Sequence, residues 1–310
     1  MKVLVPGGHG FLGQHVVASL KEAGHDVEVQ SSRTGVDLTD LGQTKAAIAK
    51  SRPDAIINCA ALVGSVHYVT KHAAAVVDVN MRMILNLFRA AHEAAPGAKL
   101  ISPISNCSYP GDADVHEEPH WWDGPIHKSV LSYGAPRRMI GVLAECYAME
   151  FGLKSVNYLV PNAYGPGDYL DTNKTHALNG MILRMLAAQK DGAAEFEIWG
   201  TGKPEREWIY IKDLARMLVF AVDHEDMLIA PINVAQNKGY SIRETAEMIK
   251  HSLGFSGKLI FNTSYQDGAM HKRLDDRQFR KRYPAFQFTP IEEGIRATVT
   301  YYRQKLGDRS

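Results

Sequence analysis

Tyr133 and Arg137 stand four residues apart in "LSYGAPRRMIGVLAECY" (131–147). On a helix that spacing puts both side chains on one face. A phenol, with a reference pKa of ~10, becomes a usable acid-base near neutrality when a fixed cation favours its phenolate. Arginine supplies the charge and can bond hydroxyls through its fork, but it cannot release a proton. The pattern predicts proton transfer to or from an oxygen, with no relay through the cation. The plain alternative is an ordinary helix face carrying a solvent arginine. Ser105, in "PISNCSYPG" (103–111), falls at the C-terminal end of an apolar run. Its hydroxyl can share a carbonyl oxygen with Tyr133 and steady the charge that develops there. Cys107 follows in the same loop, and on its own it reads as readily as a small buried hydrophobe.

Such a pair needs a partner for the oxygen's carbon, and the N-terminus offers one. "VLVPGGHGFLGQHV" (3–16) places Gly7, Gly10 and Gly13 directly after an apolar run and at the start of an amphipathic segment. This GxxGxxG is a spacing variant of the dinucleotide fingerprint. Its glycines allow a tight turn, close approach to a pyrophosphate and close helix–strand packing, and the helix N–H groups then meet the phosphates. The next run ends "VEVQSSRTG" (27–35), with Glu28 inside it and Ser31, Ser32 and Arg33 at its tip. An NAD site usually has an acid at that tip for the ribose hydroxyls. Hydroxyls and a guanidinium suit a 2′-phosphate, so the expected cofactor is NADP(H). Asp37, in "DLTD", lies beside the adenine or caps the following helix.

The elements that would position these residues alternate along the first 160 residues. "KVLV", "DVEVQ", "DAIIN", "AKLISPI" and "KSVNYLVP" read as buried strands. "FLGQHVVASLKEAG", "LGQTKAAIAKS", "DVNMRMILNLFRAAHEAA" and "PRRMIGVLAECYAMEFG" read as helices. The alternation implies an α/β fold with a parallel sheet flanked by helices. Further on come a turn-rich loop "NAYGPGDYLDTN", a helix "HALNGMILRMLAAQK", the segment "EFEIWGTGKPERE", a short helix from Asp213, a strand "PINVA", and helices near 241–253 and 290–305. The expected division is a dinucleotide-binding domain over 1–165, with 208–235 returning to it. A smaller α/β C-terminal substrate-binding cap takes 166–207 and 236–310.

Bulk properties narrow the function class. The 310 residues are 45% hydrophobic and 22% charged, with net charge +1, which suits a soluble globular chain without nucleic-acid or membrane partners. No apolar run approaches the ~18 residues of a membrane helix. Three cysteines make an odd set without metal spacing, and the thirteen histidines carry no zinc motif. A cytoplasmic enzyme without a metal is expected.

In order along the chain, "GGHGFLG", "NCAALVG", "ISNCSYP", "YGAPR", "PNAYGPGD", "THALNGMILR", "WGTGKPEREWIYIKDLA" and "DGAMHKRLD" resemble the extended short-chain dehydrogenase/reductase superfamily, with its NAD(P)-binding Rossmann fold. Within it they most resemble the GDP-L-fucose synthase family. That resemblance implies C3/C5 epimerisation of a nucleotide-linked, GDP-type 4-keto-6-deoxy sugar and reduction at C4 with NADPH. It implies Ser105 and Tyr133 as the reductase pair, Arg137 in place of the family's lysine, Cys107 as epimerisation base and His176 as partner acid. A C4 ketone acidifies its neighbours' hydrogens, and a thiolate and an imidazole on opposite faces can invert those centres. Phe11, Leu12, Leu38, Ala60 and Ala61 would complete the cofactor site, and Asn162, Arg184, Trp199, Arg206 and Lys272 would contact the nucleotide sugar. The loop "HEEPHWWDGPIH" has no counterpart in this set; Trp121 and Trp122 either line the sugar pocket or anchor the loop. A homodimer through the helices at 78–95 and around Tyr133 is implied. A related nucleotide sugar, such as a GDP-heptose, and a non-catalytic NADP(H)-binding redox sensor are the competing expectations.

Overall fold

The computed structural model describes residues 1–172, 174–265 and 267–307. Its N-terminal part runs β1 (Lys2–Pro6), α1 (Phe11–Glu22), β2 (Asp26–Gln30), α2 (Leu41–Ser51), β3 (Ala55–Ile57), α3 (Val66–Lys71), α4 (Ala73–Ala94), β4 (Lys99–Ser105), β5 (Val115–His116), α5 (Leu131–Phe151) and β6 (Ser155–Val160). The chain continues with β7 (Asn162–Tyr164), α6 (Ala177–Lys190), β8 (Glu195–Trp199), β9 (Glu205–Tyr210), α7 (Ile211–His224), β10 (Leu228–Asn233), β11 (Gly239–Ser241), α8 (Ile242–Leu253), β12 (Lys258–Asn262), β13 (Arg273–Leu274), α9 (Arg277–Arg282) and α10 (Ile291–Leu306).

Six strands form one sheet in the order β10-β6-β4-β3-β1-β2, and every pairing in it is parallel. Alternate residues of its short apolar strands go to opposite faces. Val3, Val5, Ala55 and Ile57 join Val16 and Leu20 of α1 and Leu214 and Leu218 of α7 in one core. Leu4, Ile56 and Leu100 join Ile48 of α2, Phe88 of α4 and Ile140 of α5 in the other. Strand order reverses direction at β1, between β2 and β3. That switch point is where an open parallel sheet leaves a crevice for ligands.

A third core lies apart from the sheet. It gathers Leu178 and Ile182 of α6, Phe196 and Ile198 of β8, Trp208 of β9, Ile249 of α8 and Ile295 and Tyr302 of α10. Small sheets cover it: β9 pairs parallel with β7 and antiparallel with β11, and β12 pairs parallel with β8. The turn-rich loop contains a strand, β7, and "KLIFN", too short to carry a strand signal of its own, forms β12; each pairs with a partner remote in sequence. The Tyr133 helix also begins earlier than its apolar pattern suggested, at Leu131, with Pro136 inside it. Among the described residues no helix is long and apolar enough to cross a membrane.

Candidate active site

Gly7 closes the turn after β1 at φ 77°. A Cβ there would lie 2.6 Å from the backbone of Cys59 and Ala60, so the ends of β1 and β3 meet at a distance only glycine permits. The Gly10 amide donates to the Gly7 carbonyl at 2.8 Å. Gly10 then opens α1 without a side-chain cap, which leaves first-turn N–H groups of Phe11, Leu12 and Gly13 for an outside acceptor. Ala60 is buried with its amide on Asn58 Oδ1, 3.2 Å away, and Ala61 is exposed.

At the tip of β2, Ser31 is occupied by the fold. Its Oγ accepts from the Arg33 amide at 3.2 Å and meets His9 Nδ1 at 2.8 Å. Ser32 and Arg33 are exposed on the same short turn, and Glu28 is turned to Lys2 at 3.4 Å. Asp37 does not cap the next helix. Its Oδ1 accepts from the amide and hydroxyl of Thr39 at 2.8 and 2.7 Å, and these bonds hold the carboxyl below its ordinary pKa. Asp40 caps α2 through the Gln43 amide, 2.8 Å. Leu38 is buried beside it, with its carbonyl on Asn86 Nδ2 at 3.0 Å.

Tyr133 and Arg137 do share a face of α5, with the guanidinium carbon 5.1 Å from the ring centre. Arg137 is buried. Its Nη2 donates to Asn80 Oδ1 at 2.8 Å, and Asn80 in turn pairs with the Leu62 backbone at 2.9 and 3.1 Å. The loop after β3 therefore fixes the cation. The expected net lowering of the phenol's pKa is not what the surroundings give. Burial pushes Tyr133 above its ordinary value and Cys107 adds to this, while Arg137 only limits the rise.

Ser105 ends β4, and its Oγ accepts from the Cys107 amide at 3.3 Å. Lys272, just before β13, donates from Nζ to Cys107 Sγ at 3.4 Å. Burial alone would raise the thiol. Lys272, the bond to Ser105 and Arg206 outweigh it, and the pKa falls below the usual thiol value. The contrast with Cys59 isolates the cause: that half-buried thiol, with desolvation acting on it, is pushed far up. Sequence spacing gave no sign that Lys272 would stand against the thiol.

The "HEEPHWWDGPIH" loop braces this segment. Buried Trp121 donates from Nε1 to Ser108 Oγ at 2.9 Å, and Ser108 Oγ donates to the Ser105 carbonyl at 2.8 Å. Arg138 adds bonds to the Ser108 and Gly124 carbonyls at 2.7 and 3.0 Å. Trp121 thus anchors the loop, while Trp122 is exposed beside Arg138, 5.6 Å from its guanidinium carbon.

His176 stands at the N-terminus of α6. Its Nδ1 lies 3.0 Å from Asp168 Oδ2, and its ring centre is 4.9 Å from that of Phe11. Asp168, which sequence reading passed over, is the last residue of "YGPGD". Burial would raise its carboxyl, but bonds from His176 and Thr175 hold it below the ordinary value. Helix α1 ties that loop down through Gln14 Nε2 to the Gly167 carbonyl, 2.7 Å, and His15 Nε2 to the Pro166 carbonyl, 2.8 Å.

The expected sugar-nucleotide contacts form two groups. Arg206, half-buried on β9, bonds the Ala269 carbonyl at 2.8 Å and acts electrostatically on Cys107, as Lys272 does. Asn162 on β7 donates to the Glu207 carbonyl at 3.3 Å. At the end of β8, Arg184 lies 4.6 Å from the Trp199 ring, and Trp199 stacks on Tyr265 at 5.1 Å. Both rings are about half exposed. Tyr265 had no signal in the sequence because a lone tyrosine in a loop carries no spacing.

A glycine turn at the switch point of a parallel sheet, with a Tyr–cation face beside the next strand end, defines a Rossmann-fold dinucleotide-binding protein. The model of the NAD dependent epimerase/dehydratase family matches residues 3–235, and the chain belongs to that family. A Dictyostelium discoideum protein named GDP-L-fucose synthase is 31% identical over 304 residues, 97% of this chain and 94% of that protein. The crystal structure of a GDP-L-fucose synthetase from Naegleria fowleri bound to NADP superposes with a TM-score of 0.88 at 29% identity, covering 99% of this chain and 93% of that one. A GDP-6-OMe-4-keto-L-xylo-heptose reductase from C. jejuni shares the fold, with a TM-score of 0.88 at 22% identity over 98% of each chain. The likeness to GDP-L-fucose synthases read from the motifs is borne out.

Proposed function

We propose that this chain is an NADP(H)-dependent epimerase/reductase of a GDP-linked 4-keto-6-deoxy sugar. The observation that carries the reading is the cation-backed thiol of Cys107, one loop away from the Tyr133–Arg137 face. A simple reductase needs the tyrosine and has no use for an activated thiol beside it. The cofactor fit rests on the glycine cradle at Gly7, the uncapped start of α1, and Ser32 and Arg33 free at the tip of β2. Phe11, Leu12, Gly13, Asp37, Leu38, Ala60 and Ala61 line the same crevice in this reading. Bound NADPH would supply the hydride for C4.

The chain's own residues handle protons and charge. Cys107, as thiolate, takes the proton from the carbon next to the ketone, and Lys272 offsets the charge before transfer. His176 returns a proton on the opposite face. Tyr133 gives its proton to the C4 oxygen, with Ser105 sharing that oxygen and Arg137 stabilising the phenolate left behind. Asn162, Arg184, Trp199 and Arg206 hold the nucleotide diphosphate end, and guanidiniums suit that task. Segments 166–207 and 236–310 act as the substrate cap over a dinucleotide domain of 1–165 and 208–235, with α9 of the cap segment anchored in the sheet core through Phe279 and, at its C-terminal end, Tyr283. Exposed Leu85 on α4 and Met149 and Phe151 on α5 support a homodimer through those helices.

The test is direct. Protein, NADPH and a GDP-4-keto-6-deoxy sugar are mixed, and absorbance of the reduced nicotinamide is followed. It should fall, and Tyr133→Phe should slow the fall by about 10²–10³-fold. Flat absorbance with tight NADPH binding would favour the sensor reading.

A further inference from the structure

We propose that Asp168 is the positioning residue of His176: its buried carboxylate keeps the ring proton on Nδ1, so that Nε2 is the nitrogen offered to substrate. The proposal rests on the epimerase/reductase reading and adds a residue to it. A carboxylate only accepts hydrogen bonds, so the imidazole nitrogen facing it must carry a proton. Asp168 Oδ2 takes the His176 ring at 3.0 Å and the His176 backbone N–H at 2.8 Å. The same oxygen accepts from Thr175 Oγ1 at 2.8 Å and Asn179 Nδ2 at 3.1 Å, and Oδ1 accepts from the Tyr169 amide at 2.9 Å. Backbone and ring of one histidine are thus held by one atom, which fixes the orientation of the ring.

Exposure has the same polarity. The Asp168 side chain is 0% exposed and the His176 side chain 28%, so the nitrogen away from Asp168 belongs to the open side of the ring. A capping role alone would need the backbone bond; it would not need the ring bond. Tyr302 of α10 also packs around this cluster, its phenol buried and pushed up by burial, and Asp171 lies on the same turn, its carbonyl accepting from the Thr175 amide at 3.0 Å. In the reaction, a C–H bond forms as the Nε2–H bond breaks. The ring ends neutral with its proton still on Nδ1 and donated to Asp168 Oδ2, ready to be recharged at Nε2.

The test uses the whole protein labelled with ¹⁵N-histidine, with His176 assigned by difference against His176→Asn. In the unliganded protein the neutral ring should show a protonated Nδ1 and a bare Nε2. In Asp168→Asn it should shift toward the other tautomer or a mixture. With the sugar substrate, Asp168→Asn should slow the His176-dependent deuterium exchange by about 10²-fold, the lower end of what a positioned general acid contributes. Exchange through Cys107 should continue. A neutral native ring with its single proton on Nε2 overturns the proposal even if Asp168→Asn cannot be folded, and so does an unchanged tautomer in a folded Asp168→Asn. If the native protein exchanges no deuterium while the tautomer is as stated, the epimerase reading fails and the positioning contact stands.

Discussion

The thiol side and the imidazole side of the site solve one problem with opposite charges. Cys107 has ammonium and guanidinium groups behind it, from Lys272 and Arg206. His176 has a buried carboxylate behind it, from Asp168. A cation behind a thiol favours the anion that removes a proton. A carboxylate behind an imidazole holds the ring's orientation and keeps a proton on the nitrogen that faces it. Lys272 reaches Cys107 from 165 residues away and Asp168 reaches His176 from 8, so each side chain is held by a different part of the fold. In the proposed mechanism the direction of proton flow is then a property of the scaffold, from substrate to sulfur on one flank and from nitrogen to substrate on the other.

Removing the sulfur breaks the comparison most severely. Cys107→Ser should lower deuterium entry beside the ketone by about 10³-fold, within the range for loss of a general base. It should leave reduction of an already epimerised ketone intact. Mass analysis of product formed in D₂O reads both, and normal deuterium entry would end the epimerase assignment.

Lys272→Met strips the charge and keeps the thiol. Because the Cys107 pKa is lowered, the thiolate accumulates as pH rises through a point below the ordinary thiol value. Without the ammonium that limb moves to higher pH. Alkylation by iodoacetamide at pH 7 should slow by about an order of magnitude, because less of the sulfur is thiolate there. The deficit should close above the new pKa. Asp168→Asn should leave this profile where it was, since its charge belongs to the other flank.

Much of the first flank was legible in the sequence, because its information is local. The glycine spacing 7-10-13, the i,i+4 pair Tyr133–Arg137 and the strand-end Ser105 each lie within one short stretch. So do the five apolar runs of the parallel sheet. Asp168 and Lys272 were not legible in their structural roles. Their partners lie 8 and 165 residues away, and neither distance has a period that pattern reading can use. The net effect at Tyr133 was misjudged for a related reason. A neighbouring cation is visible four residues on, whereas the burial that outweighs it is produced by tertiary packing. Likewise "HEEPHWWDGPIH" looked like a pocket wall or a strap, and only the bond from Trp121 to Ser108 separates the two.

Smaller effects sharpen the comparison at its edges. Arg137→Lys keeps a cation under Tyr133, so turnover should stay within about threefold or rise. A loss far beyond that would mean that the bond to Asn80 matters more than the charge. Trp121→Phe touches only the brace of the thiol flank. It removes the bond to Ser108 Oγ and some ring volume from a well-packed core beside Gly141, which should cost about 1–2 kcal/mol. Ser108 keeps its own bond to the Ser105 carbonyl, so the Cys107 loop retains its shape and turnover should be nearly native. Denaturant melts read the first effect and steady-state rates the second. If turnover falls while stability holds, the loop's position depends on Trp121 more than on Ser108; an unaltered His176 tautomer in the same variant would show that the two flanks are built independently.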